Sequence, residues 1–426
     1  MSPALPSLTV EADRVHGELE ALAALVEPDL PGWTRTALGP VDRQARELVR
    51  RWMRDAGLET HVDGAGNIFG RLRGTGSGRT LMVGSHTDTV VGGGRFDGIV
   101  GVVGALEAVR ALREADVRLE HDLVVVDFFH EEPNEFGLSC VGSRAMVGEL
   151  TQAHLELRDE QGRTLADALA TVDVDPSALL AARHDFTGVD AFVELHIEQG
   201  PYLEEHGSQI GLVESITGIS RFRALFSGQA DHAGTAPMDR RRDAGCAAAG
   251  TVLAVERIAG EGMQSRGTSG QLTFTPAAVN VVTERAEFRG EFRGPEAEWL
   301  RSAQDALTSA AQDEGARRDV DVEVEWLPLQ EPMPMSGGVV SVLGDVVDGL
   351  GLSSTRLFSG AEHDAALMAR AVPTGMLFVP SRDGRSHCPE EWTDLPDVAA
   401  GVTALTHSLV ALDRRDPPPD WDGAPG

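Results

Sequence analysis

The chain has 426 residues, of which 42% are hydrophobic and 24% charged, as in a globular protein long enough for two domains with separate cores. Its formal net charge of −30 argues against nucleic acid and anionic membranes as partners, because both need basic surfaces. No run reaches the roughly 18 apolar residues of a membrane span. The three cysteines are far apart and predict no disulfide framework, and the first residues lack a secretion signal, so we expect a cytoplasmic protein.

The beginning of the chain predicts two helices, a hairpin and a buried strand. Helical apolar spacing covers Ala12–Val26 and Pro40–Ala56. A hairpin follows within His61–Arg73, where a run of Asp, Gly and Asn provides the turn. The short apolar run Leu81–Val83 then predicts a strand inside the core.

Polar residues follow this strand immediately. His86 and Asp88 are alternate residues, whose side chains point the same way if the strand continues. The glycine-rich turn Gly92–Gly94 presents Asp97, and Gly98–Leu112 predicts a helix of small residues packed on the sheet. Imidazole and carboxylate groups delivered together at a strand end are typical of a divalent-cation site in an α/β protein.

Two further strands end in the same way. Asp122–Phe129 leads into Glu131 and Glu132, and Ala191–Leu195 leads into His196. The repeated order of strand, polar tip and helix predicts an α/β sheet whose strand ends converge on one site.

Residues 212–329 have a different pattern, which predicts an inserted domain. The predicted strands are Ile219–Phe226, Gly270–Val282, Glu287–Phe292 and Val320–Trp326, and the predicted helices are Arg241–Glu261 and Pro295–Glu314. This order is typical of a ferredoxin-like α+β module. The α/β pattern then returns with a helix at Gly338–Leu350 and a strand at Thr374–Val379. We therefore expect a larger domain formed by residues 1–211 and 330–415, the insertion at 212–329, and a disordered tail at 416–426.

Five candidate metal ligands stand at strand ends or in loops: His86, Asp97, Glu132, His196 and His387. Any one of the histidines alone is more often an ordinary hydrogen-bonded residue, but five such groups in distant segments favour a shared site. The set satisfies two metal ions bridged by one carboxylate, with Asp97 serving both and the remaining four divided between them. Mixed imidazole and carboxylate ligands suit zinc, manganese, cobalt or nickel, and the residue types do not choose among these metals.

The adjacent glutamates need different roles, because neighbours on an extended segment point to opposite sides. If Glu132 binds metal, Glu131 can take a proton from the attacking water and return it to a leaving amine. Asp88 would then accept a hydrogen bond from the far nitrogen of His86 and fix its tautomer.

These residues resemble, in order and spacing, the dinuclear metallo-aminoacylase/carboxypeptidase superfamily. The segments Gly84–Val90, Glu194–Pro201 and Ala230–Met238 resemble its amidase branch, which includes N-carbamoyl-L-amino acid hydrolases, allantoate amidohydrolases and β-ureidopropionases. The resemblance covers residues 10–412. It implies a metallopeptidase-like catalytic domain, with a mixed sheet flanked by helices, and an inserted ferredoxin-like domain that serves as a dimerisation domain or lid in a homodimer.

The resemblance also implies roles for individual residues. The five candidate ligands would hold two divalent ions bridged by Asp97, with Glu131 as general base and Asp88 as its companion. In the inserted domain, His232 would reach the active site of the partner subunit and stabilise the developing oxyanion.

Three residues are implied as further substrate contacts. Asn280 and Arg293 match contacts to a substrate carboxylate, for which the planar guanidinium of arginine is suited. Gln199 is an additional candidate for a polar contact.

The implied activity is metal-dependent cleavage of a linear amide C–N bond, with an N-carbamoyl-L-amino acid as substrate and amino acid, CO2 and NH3 as products. An allantoate or other ureide amidohydrolase and an aminoacylase or dipeptidase-like hydrolase are the enzymatic alternatives. A silent metal-binding scaffold is the alternative outside enzymes. The loop Pro133–Cys140 departs from the Gly-Ser-Arg-Phe that relatives frequently carry after the paired glutamates, so the substrate side chain stays open.

Overall fold

The structure, a computed structural model, describes residues 8–76, 78–133, 135–172, 174–262 and 264–415. The tail expected to be disordered, residues 416–426, lies outside these ranges. The strands are β1 Glu59–Val62, β2 Ile68–Leu72, β3 Thr80–His86, β4 Asp122–Phe128, β5 Val189–Ile197, β6 Ile210–Ile216, β7 Gly218–Ser227, β8 Arg266–Thr275, β9 Arg285–Gly294, β10 Asp321–Trp326, β11 Met333–Pro334, β12 Ser354–Ser359 and β13 Thr374–Val379.

The helices alternate with these strands along the chain. They are α1 Ala12–Ala23, α2 Pro40–Asp55, α3 Ile99–Glu114, α4 Val141–Met146, α5 Gln152–Leu155, α6 Leu165–Ala170, α7 Pro176–Leu180, α8 Tyr202–His206, α9 Ala244–Glu261, α10 Ala297–Ala316, α11 Gly337–Gly349, α12 Asp364–Met368 and α13 Leu395–Asp413. Short 3-10 helices cover Met238–Arg240 and Arg382–Gly384.

The described residues divide into two compact units. The first comprises those within Met1–Glu214, Pro334–Leu357 and Glu362–Gly426, and the second comprises those within Ser215–Met333 and Phe358–Ala361. The division thus lies a few residues beyond the expected boundaries of the insertion, and it assigns a short additional segment to the second unit.

The sheet of the first unit has the strand order β1-β2-β4-β3-β5-β13-β6-β11, with β12 paired to β6. The central strands β4, β3, β5 and β13 are parallel to one another. The pairs β1/β2, β2/β4 and β13/β6 are antiparallel, so the predicted mixed sheet is confirmed. Parallel neighbours bring their carboxyl ends to a single edge, and this edge carries the candidate ligands.

Helices pack against this sheet, and their buried side chains form an apolar core together with those of the strands. Helix α3 packs on β3 and β5 and is in turn contacted by α1 and α13. Nearly all of its side chains are buried, as expected for a helix that is apolar on all sides. Helix α2 begins at Pro40, which suits the first helical turn, and ends before Gly57, whose φ of 84° is readily adopted by glycine.

One helix of the described residues, α13, is long and apolar enough to cross a membrane by length and composition alone. Most of it is buried inside the protein, where it contacts α3, α11 and β13. It is therefore accounted for as a core helix of the first unit.

The second unit contains an antiparallel sheet of order β10-β7-β9-β8. The chain order β7-α9-β8-β9-α10-β10 is the predicted ferredoxin-like arrangement. Phe222, Phe288 and Phe292 lie in its core with apolar residues of α9 and α10. The opposite face of β7 and β9 carries arginine–glutamate pairs, among them Arg221–Glu291 and Arg223–Glu287.

One strand of this module was predicted with the wrong beginning and end. The pattern suggested a strand at Gly270–Val282, whereas β8 is Arg266–Thr275 and residues 276–282 form turns and loops. Pro276 has no amide hydrogen to donate to a strand ladder, which explains the early end. Glycines and polar residues within 266–270 hid the true beginning.

Candidate metal centre

The candidate ligands of the first unit meet at the carboxyl edge of its parallel strands. His86 is the last residue of β3, His196 lies near the end of β5, and Glu132 follows β4. The loop after β13 carries His387, and the loop before α3 carries Asp97. The structure therefore brings these segments together at one edge of the sheet, as predicted.

A first cluster consists of His86, Asp97 and His196, all buried, with one potential ligand atom from each within 4.8 Å of the others. The Nε2 atom of His196 lies 3.0 Å from Asp97 Oδ1, and that of His86 lies 3.7 Å from the same oxygen. Gly98 has a φ of 66°, and a Cβ there would approach the His86 ring to 2.4 Å. Only glycine fits this turn without displacing the histidine.

A second cluster consists of Asp97, Glu132 and His387. The Nε2 atom of His387 lies 3.1 Å from Asp97 Oδ2 and 3.4 Å from Glu132 Oε1. The two oxygens of Asp97 therefore face different clusters, as a bridging carboxylate requires. His387 is the most exposed member, with 45% of its side chain accessible.

Backbone carbonyl groups orient the two buried histidines. The Nδ1 atom of His86 lies 3.1 Å from the carbonyl oxygen of Asp88, and that of His196 lies 2.9 Å from the carbonyl oxygen of Ile197. A ring that donates from Nδ1 turns Nε2 toward the cluster, which is the tautomer that binds metal. For His196 this nitrogen also lies 3.1 Å from the amide nitrogen of Gly98, a contact that a bound ion would replace.

Asp88 differs in detail from the expectation. Its carboxylate Oδ1 is 3.6 Å from His86 Nδ1, too far for a hydrogen bond, and its backbone oxygen accepts instead. The carboxylate accepts from the amide nitrogens of Glu131 at 3.2 Å and Glu132 at 3.1 Å. Asp88 thus fixes the segment that carries both glutamates.

Glu131 belongs to neither cluster and yet lies beside them. Its Oε2 is 3.6 Å from His86 Nε2, and its Oε1 accepts a hydrogen bond from the Cys140 thiol at 3.3 Å. Burial raises the pKa of Glu131 well above its usual range, although the charge of His86 opposes this. A buried carboxyl group that readily holds a proton has the property that a general base needs.

The charges of the clusters fit divalent cations. Burial, reinforced by Asp97, raises the pKa of Glu132 to about 8, and its Oε1 has no hydrogen-bond partner in the described part of the chain. Although burial acts in the opposite direction, hydrogen bonds from His196 and His387 hold the pKa of Asp97 well below its usual range. A cation would satisfy the unpartnered oxygen and offset the buried negative charge.

Gln199 contacts a candidate ligand directly. Its Nε2 donates to Asp97 Oδ2 at 2.8 Å, and its backbone has a φ of 59°. This amide therefore helps to orient the shared carboxylate, in addition to the predicted role in substrate binding.

The other predicted substrate contacts lie in the second unit. His232 pairs with Val281 in an isolated bridge, and the amide of Ala233 donates to the carbonyl oxygen of Asn280 at 3.0 Å. Arg293 donates from Nε to Glu291 Oε1 at 2.7 Å and from Nη1 to the Gly360 carbonyl at 3.0 Å.

Sequence reasoning missed several polar residues around the clusters. Glu194 accepts from Ser85 Oγ at 2.7 Å and from the amide of Ala365 at 2.9 Å, and it can form a third group of ligand type with His196 and His363. Its alternation with His196 along β5 was the available signal, because both side chains then share one face. Glu391 and Ser386 lie outside helices and strands, so no periodic pattern in the sequence marked them.

Comparisons with known proteins agree with this geometry. The family model described as peptidase family M20/M25/M40 matches residues 82–411. The chain is 38% identical over 404 residues to an N-carbamoyl-L-amino acid amidohydrolase of Geobacillus stearothermophilus, covering 95% of this chain and 99% of the relative. It is 34% identical to an allantoate amidohydrolase of Escherichia coli, covering 89% and 93%.

A solved structure of similar shape is an amidase of the hydantoinase/carbamoylase family from Burkholderia multivorans. It has a TM-score of 0.86 and 32% sequence identity, and the match covers 95% of this chain and 98% of that chain. The chain therefore belongs to peptidase family M20/M25/M40. The resemblance to the metallo-aminoacylase superfamily and its amidase branch is confirmed, as is the fold class. Enzymes of this family use divalent metal ions, for which both clusters provide suitable groups.

Proposed function

We propose that the protein is a metal-dependent amidohydrolase that cleaves the carbamoyl group from N-carbamoyl-L-amino acids. The observation that carries the proposal is the shared carboxylate of Asp97, which faces His86 and His196 through one oxygen and His387 and Glu132 through the other. The names of relatives at 34–38% identity over most of the chain support the choice of substrate.

In the proposed reaction one water adds to the carbamoyl carbon, the C–N bonds of that carbon break, and amino acid, CO2 and NH3 result. The ions, zinc, manganese, cobalt or nickel, would acidify the attacking water and polarise the scissile carbonyl. Glu131 accepts the water proton and returns it to the leaving nitrogen. The carboxylate of Asp88 accepts a hydrogen bond from the backbone amide of Glu131 and so keeps this residue in place. The Cys140 thiol donates to Oε1 of the Glu131 side chain.

The second unit would supply the remaining contacts in a homodimer. His232 Nδ1 accepts from the amide of Gly234 at 3.0 Å, so in the neutral ring the hydrogen is on Nε2 and can be donated to an oxyanion. Asn280, Arg293 and Gln199 would bind the substrate carboxylate and its neighbouring polar groups.

Strand β8 supports the proposal of a homodimer. It lies at the edge of its sheet, nearly all of its side chains are exposed, and Leu272 and Phe274 are exposed apolar residues on it. An uncovered edge strand of this kind is a surface for pairing with another chain. We place this homodimer in the cytoplasm.

Ammonia release is the test of the proposed function. Protein reconstituted with each of the four metals is assayed on N-carbamoyl-L-amino acids, allantoate and N-acetyl-amino acids, with amino acid release followed in parallel. Turnover of the carbamoyl compounds supports the proposal. Ammonia from allantoate alone would make the protein a ureide amidohydrolase, release of amino acid from N-acetyl compounds alone would make it an aminoacylase, and no turnover with metal bound would leave a metal-binding scaffold.

The ureide alternative is retained because relatives named allantoate amidohydrolase, at 34% identity, cover most of this chain. The same residues would serve either substrate, since both contain a carboxylate and a linear C–N bond. The comparison of specificity constants decides between them.

A further inference from the structure

Glu391 has a buried carboxylate that connects two candidate ligands. The residue is 1% exposed. Its Oε1 accepts hydrogen bonds from the amide nitrogens of Phe96 at 2.9 Å and Asp97 at 3.1 Å, and its Oε2 accepts from Ser386 Oγ at 2.7 Å. One side chain thus binds the backbone of Asp97 and the residue immediately before His387.

The chain is shaped to receive this carboxylate. A Cβ atom at Gly94 would lie 2.1 Å from Cδ and from Oε1 of Glu391, closer than real Cβ contacts. Glycine at this position therefore allows the side chain to reach the amide groups behind it. This observation is independent of the hydrogen bonds and indicates the same placement.

His387 depends on such support more than the other candidate ligands. It lies outside any helix or strand, has a φ of 53°, and exposes 45% of its side chain. A non-glycine residue in the left-handed region is costly unless its surroundings determine its conformation. The imidazole must nevertheless remain near Asp97 and Glu132.

Aromatic contacts fix the far side of the same loop. The guanidinium carbon of Arg95 lies 4.6 Å from the ring centroids of both Trp33 and Trp392. The indole nitrogen of Trp33 donates to the carbonyl oxygen of Pro389 at 3.1 Å. The loop is therefore held beside the segment of Asp97 at two points, and Glu391 is the point nearer to the ligands.

We propose that Glu391 is a positioning residue of the metal centre, which orients Asp97 between the two clusters and attaches the loop of His387 to it. Glu391 is in none of the ligand groups found among the described residues, so it acts through its neighbours. The inference rests on the proposed two-ion centre. It does not depend on which amide is hydrolysed.

Two substitutions separate the shape of this side chain from its charge. Glu391→Gln retains a carbonyl oxygen for the two amide donors and an amide group for Ser386, whereas Glu391→Ala removes all three hydrogen bonds. Glu390→Ala is the matched control, because Glu390 is adjacent, 59% exposed, and paired with Arg385 at 3.0 Å.

The experiment measures binding of Co²⁺ to the metal-free proteins by competition with a chelator, and records the visible absorption of the bound ion. We expect Glu391→Ala to weaken binding about 10- to 100-fold and to change the spectrum, as loss of an outer partner of a ligand does. Glu391→Gln should retain most of the affinity, and Glu390→Ala should match the wild type.

Equal Co²⁺ affinity and spectrum for Glu391→Ala and wild type would overturn the proposal, as would a lowered melting temperature of the metal-free protein with unchanged binding. If Glu391→Ala does not fold, Glu391→Asp, whose shorter side chain cannot reach both segments, provides the test, and unchanged binding of both ions would overturn the proposal. A wild type that binds two ions but hydrolyses no amide contradicts the proposed function alone. A wild type that binds none contradicts both.

Discussion

Asp97 limits how the atoms of the centre can move. Its Oδ1 faces His196, while its Oδ2 is within hydrogen-bond distance of both Gln199 Nε2 and His387 Nε2. Since one planar group makes these contacts, a rotation that improves one cluster disturbs the other. The amide of the same residue is bound by Glu391, which restricts the backbone as well. A short carboxylate fixed at both ends is a suitable bridge.

At this scale the first prediction concerns the proposed base. Glu131→Gln keeps the volume of the side chain and removes its basicity, so we expect kcat to fall about 10²- to 10⁴-fold while bound metal is unchanged. Steady-state rates and metal analysis on the same sample measure both quantities. Glu135→Gln is the control, because Glu135 is exposed and paired with Arg163 at 3.0 Å. A near-wild-type rate for Glu131→Gln would remove Glu131 from the mechanism.

The second prediction concerns Asp42, a buried residue in the first turn of α2. Its Oδ1 has no hydrogen-bond partner among the described residues, and burial raises the pKa of Asp42 to about 7. Because this value is above that of the unfolded chain, the folded protein holds an extra proton between about pH 4 and 7. The free energy of unfolding therefore falls as the pH rises through that window.

Asp42→Asn removes the titrating group and should cancel this loss. As the pH is raised from about 5 to about 8, we expect the free energy of unfolding of Asp42→Asn to increase by about 2–3 kcal/mol relative to that of the wild type. Urea denaturation at each pH measures this difference. Asp13→Asn changes an exposed aspartate in the first turn of α1 and should produce no such gain. An equal pH response of Asp42→Asn and wild type would contradict the assignment.

At the scale of elements, the parallel strands explain how distant residues come together. Strands β4, β3, β5 and β13 end at one edge, so each contributes a short polar segment to the same place. Helix α3 begins at that edge, and the amide of Gly98 before it donates to His196 Nε2 at 3.1 Å. The sheet, rather than any single segment, determines the geometry of the centre.

Local patterns in the sequence located the strands that lead into the candidate ligands, the first two helices and most of the inserted module, and they missed several other elements. The strand at Thr374–Val379 was located correctly, because it is apolar, short and flanked by turn residues. Strand β3 continues to His86, three residues beyond the apolar run, because Gly84 and Ser85 interrupt the apolar pattern but not the sheet pairing. Helix α13 was not predicted.

Contacts between distant parts of the chain could not be predicted in this way. The carboxylate of Glu391 and the amide of Asp97 are 294 residues apart, and the segment around Glu391 has no periodicity to reveal its burial. Similarly, Asp88 was expected to contact His86 through its carboxylate, whereas the fold turns that group toward the amides of Glu131 and Glu132. Side-chain direction in a loop depends on the packing around it.

Strand β9 provides a matched pair of arginines for the third prediction. Arg293 pairs with Glu291, and Arg289 pairs with Glu287, on the same strand. We expect Arg293→Ala to raise KM for carboxylate substrates about 10- to 100-fold, as loss of a charged hydrogen bond does, while Arg289→Ala leaves KM unchanged. Steady-state kinetics with a substrate and its carboxamide analogue measure the effect.

The carboxamide analogue distinguishes the loss of carboxylate recognition from a general disturbance of the fold. Without a carboxylate to bind, it should show nearly the same KM with wild type and Arg293→Ala. If both arginine variants behave alike on the carboxylate substrate, Arg293 is only an ion-pair partner on the sheet surface.

At the scale of the whole molecule, charge and apolar surface are distributed unevenly. The chain carries a net charge of −30, yet β8 contains no acidic residue, and Arg266 at its start is its only charged residue. Proteins commonly protect edge strands with charged side chains. An edge strand that instead exposes Leu272 and Phe274 is typical of a surface that binds another chain. A second copy of the same chain is the proposed cover, which would also supply His232 to each active site.

A mixture of two inactive variants tests this arrangement. If His232 acts in the partner subunit, a dimer of His232→Ala with Glu131→Gln contains one site with both residues intact and one site with neither. Random exchange makes half of the dimers mixed, so about a quarter of the wild-type activity should return after denaturation and joint refolding. Each variant refolded alone is the control and should remain inactive. Joint refolding that restores no activity, although sedimentation shows mixed dimers, would mean that His232 serves its own chain, because no site would then combine the two intact residues.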